Sequence, residues 1–200
     1  MGRAFRVATV VLIFLAPECD VVRPEEKRPP PKSPPVARSA PYLCDLVPAS
    51  TFRAITGVTV PLESDQDGLY AGDRDADIER CRGRPKEGDT APLIVNWSYL
   101  KGEKSLRIHQ KKWANKSHGR IPSGLGRGFA AYERSDRLDV LPNEVFALFR
   151  CGGKRPWISI EFLSVSREGD VKRDRRQDMF DLMRIAQKRF GEIRECTPRP

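Results

Sequence analysis

Tyr42-Leu43-Cys44-Asp45-Leu46-Val47-Pro48-Ala49-Ser50-Thr51-Phe52-Arg53-Ala54-Ile55-Thr56-Gly57 decides how the rest of the chain is read. It stands where a proline-rich approach gives way to residues that can pack. Pro48 suits the first turn of a helix, where its fixed φ is pre-organised and its missing N–H is not needed. Phe52 and Ile55 fall on one helical face, and Gly57 supplies a left-handed stop. The stretch therefore predicts a short cysteine-bearing helix that opens a single folded domain over residues 42–196, with residues 197–200 as a tail.

Toward the N-terminus the composition changes twice. Residues 20–41 contain Pro24-Glu25-Glu26-Lys27-Arg28-Pro29-Pro30-Pro31-Lys32-Ser33-Pro34-Pro35, with almost nothing apolar to bury. Proline fixes the backbone and removes donors, so this segment reads as a solvated, semi-extended linker. In residues 1–19, Arg3 and Arg6 precede Val7 to Ala16, a run of ten uncharged residues. That is the shape of a signal peptide, and it falls far short of the about 20 apolar residues a bilayer-crossing helix needs. Cys19 follows where a bacterial lipoprotein carries its acylated cysteine. Glu18 stands before it, where a lipobox has a small residue. Lipidation would remove Cys19 from the thiol count of an exported chain; the alternative is an unpaired or intermolecular cysteine.

The net charge of +9 is local in origin. Residues 101–127 carry eight basic side chains and one acidic, whereas residues 41–100 carry six basic and ten acidic. Lys104, Arg107, Lys111, Lys112, Lys116 and Arg120 form the basic patch, and Glu103 to Lys116 reads as a helix with Leu106, Gln110 and Trp113 along one side. No helix-turn-helix, finger or RNP signature accompanies the charge, so no nucleic-acid partner is expected. The anionic partners open to an exported chain are phospholipid headgroups and wall polymers.

Elsewhere the periodicities speak for strands. Val58-Thr59-Val60 reads as a short strand, and residues 63–79 as an acidic loop. Leu93, Val95, Trp97 and Tyr99 alternate with Ile94, Asn96, Ser98 and Leu100, the pattern of a strand with its aromatic face inward. Phe129 to Tyr132 is a further strand, entered through the glycines of Ser123-Gly124-Leu125-Gly126-Arg127-Gly128. Residues 144–151 and 157–165 form a hairpin joined by Gly152-Gly153. Val171 to Phe190 is an amphipathic helix with Met179, Leu182, Met183, Ala186 and Phe190 inward, and Gly191 is expected to cap it.

Chemistry-bearing motifs are absent or incomplete. Asp73, Asp75 and Asp77 copy the opening of a calcium loop, yet Ile78 and Arg84 fall where an EF-hand needs Gly and Glu. Residues 123–128 lack the Lys-Ser/Thr ending of a phosphate loop. His109 and His118 stand in no metal-ligand spacing and read as surface histidines, so no metal, no cofactor and no catalytic residue is expected.

Cys44, Cys81, Cys151 and Cys196 are an even set, and four cysteines allow three pairings. The expected pairing is Cys44 with Cys81, tying the opening helix to the segment after the acidic loop, and Cys151 with Cys196, tying the hairpin to the tail. A zinc site is disfavoured because no two of these thiols are close in sequence.

Taken in order, Leu43-Cys44-Asp45-Leu46-Val47-Pro48, Ile55-Thr56-Gly57, Cys81, Ile121-Pro122-Ser123-Gly124-Leu125-Gly126, Ala131-Tyr132, a strand pair and a closing helix resemble the actinobacterial lipoprotein family called domain of unknown function 3558. The resemblance covers most of residues 42–190. It implies an exported, usually lipid-anchored domain with a twisted antiparallel sheet flanked by helices, and it carries no assigned catalytic residues. With the elements read above, the expected fold is α+β, a sheet of about five to six strands flanked by a short N-terminal, a middle and a C-terminal helix. The expected function is a non-catalytic binding or sensing module of the cell envelope, membrane-anchored or secreted, with an unknown ligand or protein partner. Two rivals are a secreted hydrolase using His109 or His118, and a basic adhesion module for anionic envelope polymers.

Overall fold

The computed structural model describes residues 40–67, 78–88, 90–133, 140–165 and 174–200. The chain folds as an α+β domain. Its elements are β1 (Tyr42–Leu43), β2 (Val47–Pro48), α1 (Ala49–Thr56), β3 (Leu62–Asp67), β4 (Glu79–Pro85), β5 (Leu93–Ser98), α2 (Gly102–Lys112), β6 (Ser117–Arg120), β7 (Arg127–Tyr132), β8 (Val140–Leu148), β9 (Trp157–Val165) and α3 (Arg175–Ile193). A two-stranded ribbon pairs β1 with β2, and one open antiparallel sheet runs β3-β4-β5-β9-β8-β7-β6. Among the described residues this sheet has seven strands, against about five to six expected.

The sheet is two meanders joined side by side. β3, β4 and β5 form one and β6 to β9 the other, and the chain crosses between them through α2. Antiparallel pairing puts directly opposed residues on the same face, and alternate residues on opposite faces. Val95, Val145, Ala147, Ile158, Ile160 and Phe162 belong to one buried cluster with α1 and α3, into which Phe52, Met179, Leu182, Met183 and Phe190 insert. Phe129, Ala131, Phe146, Leu148 and Trp157 face the other way and meet Leu106 and Trp113 near α2. Each such fully buried aliphatic or aromatic side chain stabilises the fold by ~1.5–3 kcal/mol. Two clusters back to back explain why β8 is apolar on both faces from Val145 to Leu148.

The opening stretch differs from its reading. Cys44 and Asp45 take φ of 51° and 57°, and Leu46 N–H donates to Leu43 O at 3.2 Å. Positive φ at both central residues is the requirement of a tight hairpin turn, so Cys44 lies in the β1–β2 hairpin rather than on the helix. Pro48 then stands as the N-cap of α1, and Gly57 at φ 72° closes it with an N–H donated to Arg53 O.

Other boundaries move for identifiable reasons. Residues 58–60 form no strand; the strand is β3, cut from what read as acidic loop. The remainder of that loop, including the calcium-like Asp73, Asp75 and Asp77, lies outside the described residues, as do Val171 to Arg173. α2 ends at Lys112, because residues 117–120 pair as β6 with β7. Gly191 lies inside α3 and caps nothing. A Cβ there would come within 2.5 Å of Cys196 O and 2.6 Å of Pro198 Cδ, so the glycine lets the returning chain pass. Within the tail of residues 197–200, Arg199 exchanges two backbone hydrogen bonds with Arg150 at 2.8 Å.

Gly126 and Gly128, at the start of β7, act by close approach. A Cβ on Gly126 would meet Leu148 O at 2.3 Å, and one on Gly128 would meet Phe146 O at 1.9 Å. Disulfides join Cys44 to Cys81 and Cys151 to Cys196, with Cα atoms 5.5 and 5.4 Å apart.

Candidate functional site

Glu144 on β8 faces α2, and the register sets it directly opposite Glu161 on β9. Like charges directly across a sheet repel. Helix α2 resolves the conflict by laying His109, Lys112 and Trp113 over the pair, a spacing of three and four that keeps all three on one helical face. His109 Nδ1 donates to Glu144 Oε1, since an ionised carboxylate only accepts. Trp113 Nε1 donates to Glu144 Oε2 at 2.5 Å. Lys112 Nζ bonds Glu161 Oε2 and lies 3.3 Å from Glu144 Oε2.

Burial decides the electrostatics. The Glu144 side chain is 0% exposed, while that of Lys112 is 50% exposed. Desolvation acts to raise the pKa of Glu144, but the His109 hydrogen bond and charge, the Lys112 charge and the Trp113 hydrogen bond together hold it below its ordinary value. For Lys112 burial acts downward and is outweighed by Glu144 and Glu161, so its pKa rises. The ring of His109 packs 5.3 Å from Phe146 and 6.1 Å from Trp157, which stack on each other. His109 is therefore one wall of a built charge cluster, not a surface histidine.

Two chemistries fit part of this arrangement. His109, Glu144 and Glu161 bring one ligand atom each to within 4.8 Å of one another, a grouping that spans three elements. An ion there would have to displace Lys112 from both carboxylates and take the proton of His109 Nδ1. A buried carboxylate on Nδ1 also orients an imidazole as a general base at Nε2. Among the described residues no hydroxyl or thiol is hydrogen-bonded to His109. His118 is exposed on β6, with Nδ1 3.0 Å from Lys116 O. None of this is visible in linear spacing, because α2, β8 and β9 each contribute separately.

A second feature is an open groove of about 660 Å³. Its walls include Trp97 and Tyr99 from β5 and the following turn, Phe190 and Arg194 from the end of α3, and Glu79 and Arg80 from β4; the Cys44–Cys81 disulfide lines it as well. Trp97 and Tyr99 pack edge to face at 5.8 Å. Cations cover both rings: Arg194 lies 4.3 Å from the centroid of Trp97, and Lys154 lies 4.6 Å from that of Tyr99. Arg194 is held at 3.3 Å by Glu79.

The basic patch divides. Lys112 turns to the carboxylate pair, and Lys116 bonds Glu133 at 2.6 Å while lying over Trp113. Lys104, Arg107, Lys111 and Arg120 stay exposed.

No protein family, curated protein or solved structure matches this chain. Two disulfides mark the class, a domain of an oxidising environment. Among the described residues no helix is long and apolar enough to cross a membrane.

Proposed function

We propose that this is an exported cell-envelope protein acting as a non-catalytic binding or sensing module, held at the outer face of the cytoplasmic membrane by acylation of Cys19, with its ligand or protein partner seated in the groove beside Cys44–Cys81. The observation that carries the reading is that disulfide. The domain has two buried clusters and does not depend on a staple to close a core, so the bond speaks for compartment, and it also lines the groove. The leader of residues 1–19, the linker of residues 20–41 and the resemblance to domain of unknown function 3558 support export and anchoring. The Glu144 cluster supports a structural use of this buried carboxylate, because both of its oxygens are taken.

The test is metabolic labelling of expressing cells with a fatty-acid probe, followed by fractionation and thiol mapping. The expected result is label on the full chain, its loss in Cys19→Ser, and four alkylation-resistant cysteines until reduction. Unlabelled protein in the cytosol with free thiols would overturn the proposal. A hydrolase reading has the Glu144–His109 bond in its favour. It requires that His109→Gln abolish an activity that the parent protein shows.

A further inference from the structure

The inward face of α2 is accounted for by Ser105, Leu106, His109, Lys112 and Trp113. The outward face is not. Lys104, Arg107, Ile108 and Lys111 are all exposed, and at 3.6 residues per turn they share an arc of roughly 100°. Among the described residues the side chains of Lys104, Arg107 and Lys111 make no ion pair or hydrogen bond. The one acid on the helix cannot neutralise them, because Glu103 is engaged by Arg127 at 2.6 Å and Arg155 at 3.7 Å. Ile108 is 58% exposed in their midst, and Leu100, just before the helix, is 44% exposed.

A single exposed isoleucine is ordinary. One ringed by three uncompensated cations on one helical face is a different object. It matches what a helix lying in a bilayer interface presents, with cations at headgroup level and an aliphatic side chain at the acyl boundary. Lysine and arginine stems suit that depth, since they bury methylenes while the charge stays in water. A soluble polyanion would use the cations and leave Ile108 idle, so the apolar residue distinguishes the partner.

We propose that the outer face of α2 docks on the anionic lipid headgroups of a bilayer, with Ile108 inserted at the acyl boundary. The domain then lies against the membrane through Lys104, Arg107 and Lys111. The biological setting rests on the exported, anchored reading above; the contact itself is independent of it.

The experiment uses purified full chain carrying Cys19→Ser, so that no acyl group contributes. Flotation is measured with vesicles of phosphatidylglycerol and phosphatidylcholine in equal parts, and with phosphatidylcholine alone. Binding is expected only to the anionic vesicles, and it weakens as salt is raised. The triple variant Lys104→Glu, Arg107→Glu, Lys111→Glu should bind at least roughly 100-fold more weakly, at about a fivefold loss per cation. Ile108→Ser should lose roughly 10-fold from removing the inserted side chain. Arg184→Glu with Lys188→Glu, a comparable charge change on α3, should leave binding unchanged. All these positions are exposed, and thermal melts confirm that the variants fold. Equal binding to neutral vesicles, or parental binding by the triple variant, would overturn the proposal. So would full competition by inorganic polyphosphate together with no effect of Ile108→Ser, which would make the face a polyanion site. Failed acylation in cells would defeat the anchoring proposal and leave the vesicle result standing.

Discussion

Replacing Lys112 with Met removes the one cation that touches both Glu144 and Glu161 while keeping the length and apolar body of the side chain. Breaking a fully buried ion pair costs about 3–5 kcal/mol, because a charge is left uncompensated. Two features of the structure reduce that figure. The Lys112 side chain is half exposed, so solvent screens it, and Glu144 keeps its bonds to His109 and Trp113. The expected loss is roughly 1–2 kcal/mol. For a domain of this size that lowers Tm by about 3–6 °C at pH 7. The pH dependence identifies the cause. The folded-state pKa of Glu144 is depressed below its ordinary 4.5, so its contribution is present above that value and is lost as pH falls through the folded pKa. Once the carboxylates are protonated Lys112 has no anion to hold, and the melting curves of parent and variant converge. Adding Glu161→Gln to Lys112→Met removes the cross-strand repulsion and should restore about half of the loss. Differential scanning calorimetry from neutral to strongly acidic pH provides the test. No change in Tm at pH 7, or an equal decrease at neutral and acidic pH, would refute the electrostatic account and leave only packing.

Further expectations concern the staple, the glycines and the alkaline limit. Cys44→Ser should free Cys81 for alkylation after unfolding and remove up to about 4 kcal/mol by the loop-entropy model; a Cys81 that stays unreactive in the unfolded variant would contradict the observed pairing. Gly128→Ala drives a Cβ against Phe146 O and should cost about 3 kcal/mol or more, whereas Gly124→Ala, with open space around it, should be neutral or stabilise by about 0.4–1 kcal/mol; paired chemical denaturation curves decide. Asp174 accepts from the N–H groups of Arg176 and Gln177, so Asp174→Ala should cost about 1 kcal/mol of stability, read by the same assay. The raised pKa of Lys112 predicts that its contribution is fully present below its ordinary pKa of 10.5 and fades as pH rises through the higher folded value. A Lys112→Met variant should therefore match the parent in strongly alkaline melts.

What the sequence made legible is what side-chain periodicity encodes. β5, β9, the Gly152-Gly153 turn and α3 each announce themselves because a buried face repeats along them. β3 and β6 do not, and both are edge strands. Glu63, Ser64, Asp65 and Gln66 on one, and Ser117, His118 and Arg120 on the other, are exposed, so these segments are held by backbone pairing that leaves no apolar alternation to read. Cys44 misled for a local reason, since non-glycine residues at positive φ carry no strong compositional mark. Gly191 was legible as a glycine but not as a passage for the returning chain. Glu144 is the deepest omission: along β8 it looks like the outward partner of Val145, and only the return of α2 over that face makes outward mean buried. The groove was equally hidden, being assembled from segments that are distant in sequence.

The placement of the two disulfides has a mechanical consequence. Cys44 lies two residues into the first ribbon and is bonded to β4, which is an inner strand of the sheet. Tension entering the domain from its N-terminal side reaches a covalent link almost at once. It passes into a strand hydrogen-bonded on both sides, so the load is met by shear across two ladders and not by peeling the exposed edge at β3. Cys196, bonded into the turn after β8, does the same at the other end of the chain. A pull on either terminus is thus delivered to the sheet, and α1 and α3, which lie inside the two closed loops, are bypassed.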